Sequence, residues 1–285
     1  MVIDLHTHST VSDGSDPPER IPALAAAAGC SAVALTDHDS LAGLAAARAS
    51  AAAAGVTLVP GCEVSCKASG LDGEAGSAHL LVYFVDEGDH PLAEELVRLR
   101  GERLERNRRL AARLGELGFP VDYDAVVARA GSEEGTGRPH FAQELVARGH
   151  VPDVDDAFAR LLGNGRPAYV PKARLTPADV ARMARASGGV AVLAHPLSLA
   201  LEPRALERRV VELAEAGLVG IEATYARYSV DQRAMLRRMA KRNGLVATGG
   251  SDYHGTLKPD LQVGCGRGDL RVDDSVLEAL AARRP

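Results

Sequence analysis

The sequence predicts an α/β protein of parallel βα units in a barrel-like arrangement, interrupted by one helical insertion. Three observations carry this. Short apolar runs of strand length recur seven times, with Ala-rich helical stretches between many of them, and strands alternating with helices point to parallel βα units. Candidate metal ligands follow the ends of most runs, where a (β/α) barrel places its chemistry. Between roughly residues 99 and 171 the alternation stops and the chain reads as helices alone.

Val2–Leu5 is the first run, and it delivers His6, His8 and Asp13 in DLHTHSTVSDG. In an extended stretch His6 and His8 point the same way, because strand side chains alternate with period two. A helix over Pro18–Ala28 leads to the run Ala32–Leu35, followed by His38 in LTDHD. A helix over Leu41–Ala54 leads to Thr57–Val59, followed by Glu63 in PGCEVS. The Ala runs here are helix filler, since Ala has the best helix propensity. His79 breaks the pattern: it opens the run His79–Phe84, so this strand is expected to enter the site differently. Val190–Leu193 precedes His195 in LAHP, and Val219–Ala223 lies within VGIEATYARYS. Leu245–Thr248 precedes Asp252 and His254 in GGSDYHG, a second i, i+2 pair.

The insertion, residues 99–171, divides a barrel domain made of 1–98 and 172–285. Its helices are expected at Leu99–Leu117, Tyr123–Arg129, Phe141–Gly149 and Asp156–Leu162, with Pro and Gly between them. Arg98, Arg100, Arg103, Arg106, Arg108, Arg109 and Arg113 crowd the first helix, partly balanced by Glu102, Glu105 and Glu116. They form either a solvated basic face or an electropositive cap for an anionic substrate. In TGRPHFAQ, Arg138 and His140 sit two apart at a helix start after a Gly-rich turn. Arg offers a fork that matches phosphate, and a helix N-terminus adds free amides. The plainer reading is a helix start with an incidental Arg and His.

Composition narrows the function. The 285 residues suit one large α/β domain plus an insertion. Hydrophobic residues make up 46% but aromatics only 4%, with no Trp, so the core must be Ala, Leu and Val. A net charge of −5 excludes a globally basic surface for long nucleic acid. MVIDLHTHS enters the first strand at once, leaving no room for a signal peptide, and no apolar stretch reaches the roughly 18 residues of a membrane span. A cytoplasmic protein is expected, without membrane association or an obligate protein partner. Cys30, Cys62, Cys66 and Cys265 form no CxxC pair and read as small buried residues.

The chemistry lies in nine candidate ligands: His6, His8, Asp13, His38, Glu63, His79, His195, Asp252 and His254. Six of the nine histidines fall in this set. Imidazole and carboxylate suit divalent Zn, Mn and Fe. Nine ligands are too many for one ion and enough for two or three that share a bridging carboxylate.

DLHTHSTVSDG, ALTDHD, GCEVS, AHP and GGSDYHG together resemble the signature segments of the polymerase-and-histidinol-phosphatase (PHP) family of metal-dependent phosphoesterases. The resemblance runs from Met1 to about His254, in the family's order. It implies a distorted (β/α)7 barrel of the PHP type, with the helical insertion over the barrel mouth. It also implies a division of the ligands. His6, His8, Glu63 and Asp252 would hold one ion; Glu63 would bridge to a second with His79 and His195; Asp13, His38 and His254 would hold a third. The nucleophile is then a metal-activated water, with no Ser or Cys needed. Asp4 and Asp39 read as groups that orient imidazoles.

The R-x-H-F pattern resembles a subgroup acting on nucleoside 3′,5′-bisphosphates and short oligoribonucleotides. On that resemblance Arg138 and His140 grip a phosphate that is not cleaved, with Lys172 and Arg227 as weaker phosphate contacts. The expected activity is removal of the 3′-phosphate to give the 5′-monophosphate, with short 5′-phosphorylated RNA as a further substrate. The alternatives are histidinol-phosphate phosphatase and a non-catalytic metal- or nucleotide-binding module. The sequence departs from many relatives at Tyr228, where they carry His. That position is no metal ligand, but it bears on specificity.

Overall fold

Seven strands form one sheet in chain order: β1 (Val2–Asp4), β2 (Cys30–Leu35), β3 (Thr57–Cys66), β4 (Ala78–Tyr83), β5 (Val190–Leu193), β6 (Leu218–Tyr225) and β7 (Val246–Gly250). The computed structural model describes residues 1–67, 78–131, 133, 135–171 and 175–285. The helices are α1 (Arg20–Ala27), α2 (Leu44–Ala54), α3 (Pro91–Glu116), α4 (Tyr123–Ala130), α5 (Arg138–Ala147), α6 (Val154–Ala157), α7 (Pro177–Ala186), α8 (Pro203–Glu215), α9 (Val230–Arg242) and α10 (Ser275–Ala281). The sheet nearly closes into a barrel. Leu5 N donates to Gly249 O, His8 N to Tyr253 O and Asp252 N to His6 O, which ties the end of β1 to the end of β7.

Four neighbouring pairs are parallel: β1–β2, β2–β3, β5–β6 and β6–β7. β4 is antiparallel to both β3 and β5. This explains the position of His79. In a strand that runs backwards, the first residues lie at the same barrel end as the last residues of the parallel strands.

Two expectations need correction here. β3 does not stop at Val59 but continues to Cys66, so Glu63 lies inside a strand and not after one. Pro60 and Gly61 look like a terminator, yet they mark a change of partner: Pro60 is the last residue paired with β2, and Gly61 is the first paired with β4. A side chain at Gly61 would collide with the Val82 carbonyl, so glycine is what the close pairing requires. The first helix of the insertion, expected from Leu99, starts at Pro91, because Leu92 and Leu96 are buried and extend its apolar face.

The barrel core follows the strand period. Ile3, Leu5, Ala32, Ala34, Leu81, Tyr83, Val190 and Val192 pack together on the inner face. Val33, Leu35, Leu80, Val82, Ala191 and Leu193 alternate with them and pack under helical residues such as Ile21, Leu44, Val180 and Leu236. Tyr83 is the one aromatic fully buried here, and its hydroxyl donates to Leu5 O at 2.8 Å. At about 25 cal/mol per Å2, each buried Leu or Val contributes roughly 1.5–3 kcal/mol.

The chain divides into two compact units, Met1–Leu96 with Arg174–Pro285, and Val97–Ala173. The second has its own core of Leu110, Leu114, Val126, Phe141, Leu145, Leu161 and Leu162. A single π-helical turn, Phe158–Leu162, ends its last helical segment. No helix among the described residues is long and apolar enough to cross a membrane.

Candidate metal centre

All nine sequence-predicted ligands converge at one end of the barrel around the carboxylate of Glu63. The segment after β1 carries His6 and His8, and both are fully buried. β3 carries Glu63, β4 carries His79, and the segments after β2, β5 and β7 carry His38, His195, Asp252 and His254. The two oxygens of Glu63 sort the imidazoles. Oε2 lies 3.2 Å from His6 Nε2, His8 Nε2 and His38 Nδ1. Oε1 lies 2.9 Å from His79 Nδ1 and 2.8 Å from His195 Nε2. A carboxylate used on both sides in this way is shaped to bridge two ions.

The donor set fits divalent metal. Bonds of about 2.0–2.2 Å in a tetrahedral site place neighbouring donor atoms about 3.3 Å apart. Here His6 Nε2 and His8 Nε2 are 3.1 Å apart. Asp252 Oδ1 is 3.6 Å from the first and 3.4 Å from the second. His38 Nδ1 is buried and has no hydrogen-bond partner, although it faces Glu63. A lone pair buried without a donor is costly unless a cation takes it. Among the described residues three groups of donor atoms lie close enough together to hold an ion: His6, His8 and Glu63; His38, Glu63 and His79; and His8, Asp13, His38 and His254.

Asp13 reaches the cluster from an exposed loop, with Oδ1 3.2 Å from His254 Nε2 and Oδ2 3.8 Å from His38 Nε2. Asp37 holds that loop in place. Its carboxylate accepts from Ser9 N, Ser9 Oγ and Ser12 Oγ at 2.7–2.8 Å.

Electrostatics set the protonation states. Burial opposes ionisation of Glu63, but the His38, His6 and His79 imidazoles hold its carboxyl well below the usual range. Burial likewise opposes a charge on His8, yet its contacts with Asp252 and Glu63 push its pKa up to about 9. At His38 burial prevails and lowers the pKa to about 4. Backbone strain also concentrates here. Asp39, His195 and Asp252 have φ of 50°, 27° and 56°, in the region L-residues avoid, at roughly 1–3 kcal/mol each.

Several functional neighbours were not read from the sequence. Glu222, fully buried in β6, accepts from His6 Nδ1 at 2.9 Å and from His195 N at 2.7 Å. It fixes the His6 tautomer so that Nε2 faces Glu63, the carboxylate–imidazole arrangement typical of metal sites. Ser198 Oγ is 3.0 Å from His195 Nδ1. The available signal was a lone Glu in an otherwise apolar run. Asp4 has a different job from the one expected. Its carboxylate accepts from the backbone of His6, Ser251 and Gly264, and so fastens β1 to the segments after β7. Asp39 accepts from Ser65 N at 2.7 Å.

An open cavity of about 510 Å3 adjoins the cluster. His38, Glu63, His79, His195 and Asp252 are among its lining residues. Tyr225, Arg227, Tyr228, Gln232 and Lys258 line it as well. Arg227 is paired with Asp260 at 2.8 Å. Tyr228 reaches the cavity wall, where its hydroxyl accepts from Leu197 N at 2.8 Å. Arg138 and His140 lie in the helical unit, at the start of α5. Arg138 donates to Leu162 O at 3.1 Å and covers the rings of Phe158 and Tyr169. His140 Nδ1 accepts from Gly137 N at 3.1 Å. Lys172 lies outside the described residues. Cys62, beside Glu63, is fully buried, and burial pushes its thiol far up, so it is no nucleophile.

The PHP domain profile matches residues 4–112. A 3′,5′-nucleoside bisphosphate phosphatase from Chromobacterium violaceum is 34% identical over 262 residues, covering 92% of this chain and 90% of the relative. The chain belongs to the PHP family. A 5′-3′ exoribonuclease from Haemophilus influenzae is 32% identical over 251 residues, 88% of this chain and 89% of that one. A phosphoribosyl 1,2-cyclic phosphate 1,2-diphosphodiesterase from Eggerthella lenta is 35% identical over 261 residues, 90% and 95% of the two chains. As a PHP member the chain is a hydrolase of phosphate esters, and its cluster can hold divalent metal.

Proposed function

We propose that this PHP enzyme removes the 3′-phosphate of nucleoside 3′,5′-bisphosphates, giving 5′-monophosphates in the cytoplasm. The observation that carries the reading is the cluster of nine candidate ligands beside an open cavity, in a chain that is similar over nine-tenths of its length to a phosphatase of that specificity. In this reading His6, His8, Glu63 and Asp252 hold one ion, Glu63, His79 and His195 a second, and Asp13, His38 and His254 a third. Mn, Zn or Fe all suit the donors. Bound divalent ions supply hydroxide from water at neutral pH and polarise the phosphoryl oxygens.

The protein's own part is arrangement. Glu222 and Ser198 orient His6 and His195, and Asp37 holds the loop of Asp13. Glu63 spans both groups of imidazoles. Arg138, His140, Lys172 and Arg227 are the candidate contacts for the phosphate that is not cleaved. In that role Arg138 adds a phosphate contact to, or exchanges one for, its present bonds to Leu162 and the two rings. Binding energy from that remote phosphate positions the scissile one.

The test is phosphate release from 3′,5′-bisphosphoadenosine, 3′-AMP, 5′-AMP and histidinol phosphate, each with Mn and with Zn. The bisphosphate should be turned over best. Preference for histidinol phosphate would overturn the reading. The similarity to an exoribonuclease favours one second activity, on short 5′-phosphorylated RNA. Release of 5′-mononucleotides from such an oligomer would establish it.

A further inference from the structure

We propose that Lys258 contacts substrate in the barrel cavity, donating to an oxygen of the phosphoryl group while it holds Asp252. The inference rests on the phosphoesterase reading of the site. Lys258 follows the 3-10 turn Gly255–Leu257, six residues after Asp252. Its ammonium donates to Asp252 Oδ2 at 2.6 Å. The carboxylate of Asp252 is therefore divided. Oδ1 faces His6, His8 and His254 at 3.4–3.6 Å. Oδ2 accepts from Lys258 and from the Tyr225 hydroxyl at 2.7 Å.

An ammonium carries three donors. Among the described residues Asp252 is the only acceptor bonded to Lys258 Nζ, and the side chain is 31% exposed on the cavity wall. Two donors are left for whatever enters the cavity. Gln232 lines the same cavity. It spends its carbonyl oxygen on Ser229 N at 2.9 Å, which leaves its amide donors. The cavity is thus lined by carboxylates and imidazoles that suit cations and by donors that suit an anion. A tetrahedral phosphoryl group, with oxygens pointing in several directions, can meet both. A neutral ligand without acceptors would leave the remaining Lys258 donors without a partner in the cavity. Lys258 then has two roles. It keeps Oδ1 of Asp252 turned to the imidazoles, and it draws the phosphoryl group beside them.

The experiment compares wild type with Lys258→Met on p-nitrophenyl phosphate, with inorganic phosphate as inhibitor and metal equivalents per chain measured on the same Mn-loaded samples. This small ester does not depend on nucleotide recognition. The variant should keep its metal, lose about 10- to 100-fold in kcat/KM, and raise the inhibition constant of phosphate about tenfold or more. Lys258→Gln gives the same comparison if the Met variant does not fold, and Lys258→Arg should recover part of the loss. Wild-type kcat/KM and phosphate inhibition in the Met or Gln variant would overturn the proposal. So would a loss of metal large enough to account for the whole decrease, since Lys258 would then act only through Asp252. If the wild type hydrolyses neither this ester nor any nucleotide, the phosphoesterase reading itself fails.

Discussion

The imidazoles of the barrel and the Arg138–His140 pair of the helical unit are both read as functional, yet their surroundings differ. In the barrel, second nitrogens are tied to the protein, His6 to Glu222 and His195 to Ser198, while the first nitrogens crowd around Glu63. Such an arrangement suits cations at its centre. In the helical unit, His140 bonds its own helix start and Arg138 bonds Leu162 and two rings. These groups already have local work. The difference teaches that the barrel site is preorganised and should be intolerant of change, whereas the pair in α5 should matter only for substrates that reach it.

The strongest way to break this comparison is to remove a ligand. Asp252→Asn or His8→Ala should lower kcat about a thousandfold or more with Mn present, since catalytic metals supply several kcal/mol at the transition state. Circular dichroism should show the fold retained. Near-wild-type kcat with full metal would remove that residue from the ligand set. A second test uses pH. An imidazole must lose its proton to ligate, and His8 is held protonated up to about 9 by Asp252 and Glu63. Metal affinity should therefore rise with pH, by at least about tenfold per unit, because His6 and His195 are also held protonated above the ordinary range. Equilibrium dialysis from pH 6 to 8 should show roughly a hundredfold gain or more. No change would mean that His8 is not a ligand.

Smaller effects sharpen the contrast. Glu222→Gln keeps the side-chain shape but weakens its hold on His6, so metal affinity should fall about 10- to 100-fold. Unaltered affinity would reduce Glu222 to a packing role. Arg138→Ala should cost about 10- to 100-fold in kcat/KM on 3′,5′-bisphosphoadenosine and almost nothing on 3′-AMP. Equal losses on both would assign Arg138 to the scissile phosphate or to the fold around Phe158 and Tyr169.

How much of this was legible in the sequence depends on whether the signal was local. His6, His8, Asp252 and His254 stand out because i, i+2 pairs beside short strands are visible in a few residues. Asp13, His38, Glu63, His79 and His195, which meet in the same cluster, were legible through their segments taken together. Glu222, Tyr225 and Lys258 were not, because their roles exist only when β6 and the turn after β7 meet. Asp4 was misread for a related reason: its partners, Ser251 and Gly264, lie almost the whole chain away. The strand count was legible but the direction of β4 was not, although His79 at the head of its run hinted at it. Pro60–Gly61 hid the second half of β3, since the same dipeptide that ends a strand also allows a change of partner.

The central claim, that hydrolysis depends on ions held around Glu63, is tested most directly by one titration. Protein stripped by a chelator is given Mn stepwise while phosphate release from 3′,5′-bisphosphoadenosine is followed. Activity should be absent at the start and should rise until two to three equivalents are bound per chain. Full turnover by the stripped protein, or saturation with no bound metal, would contradict it.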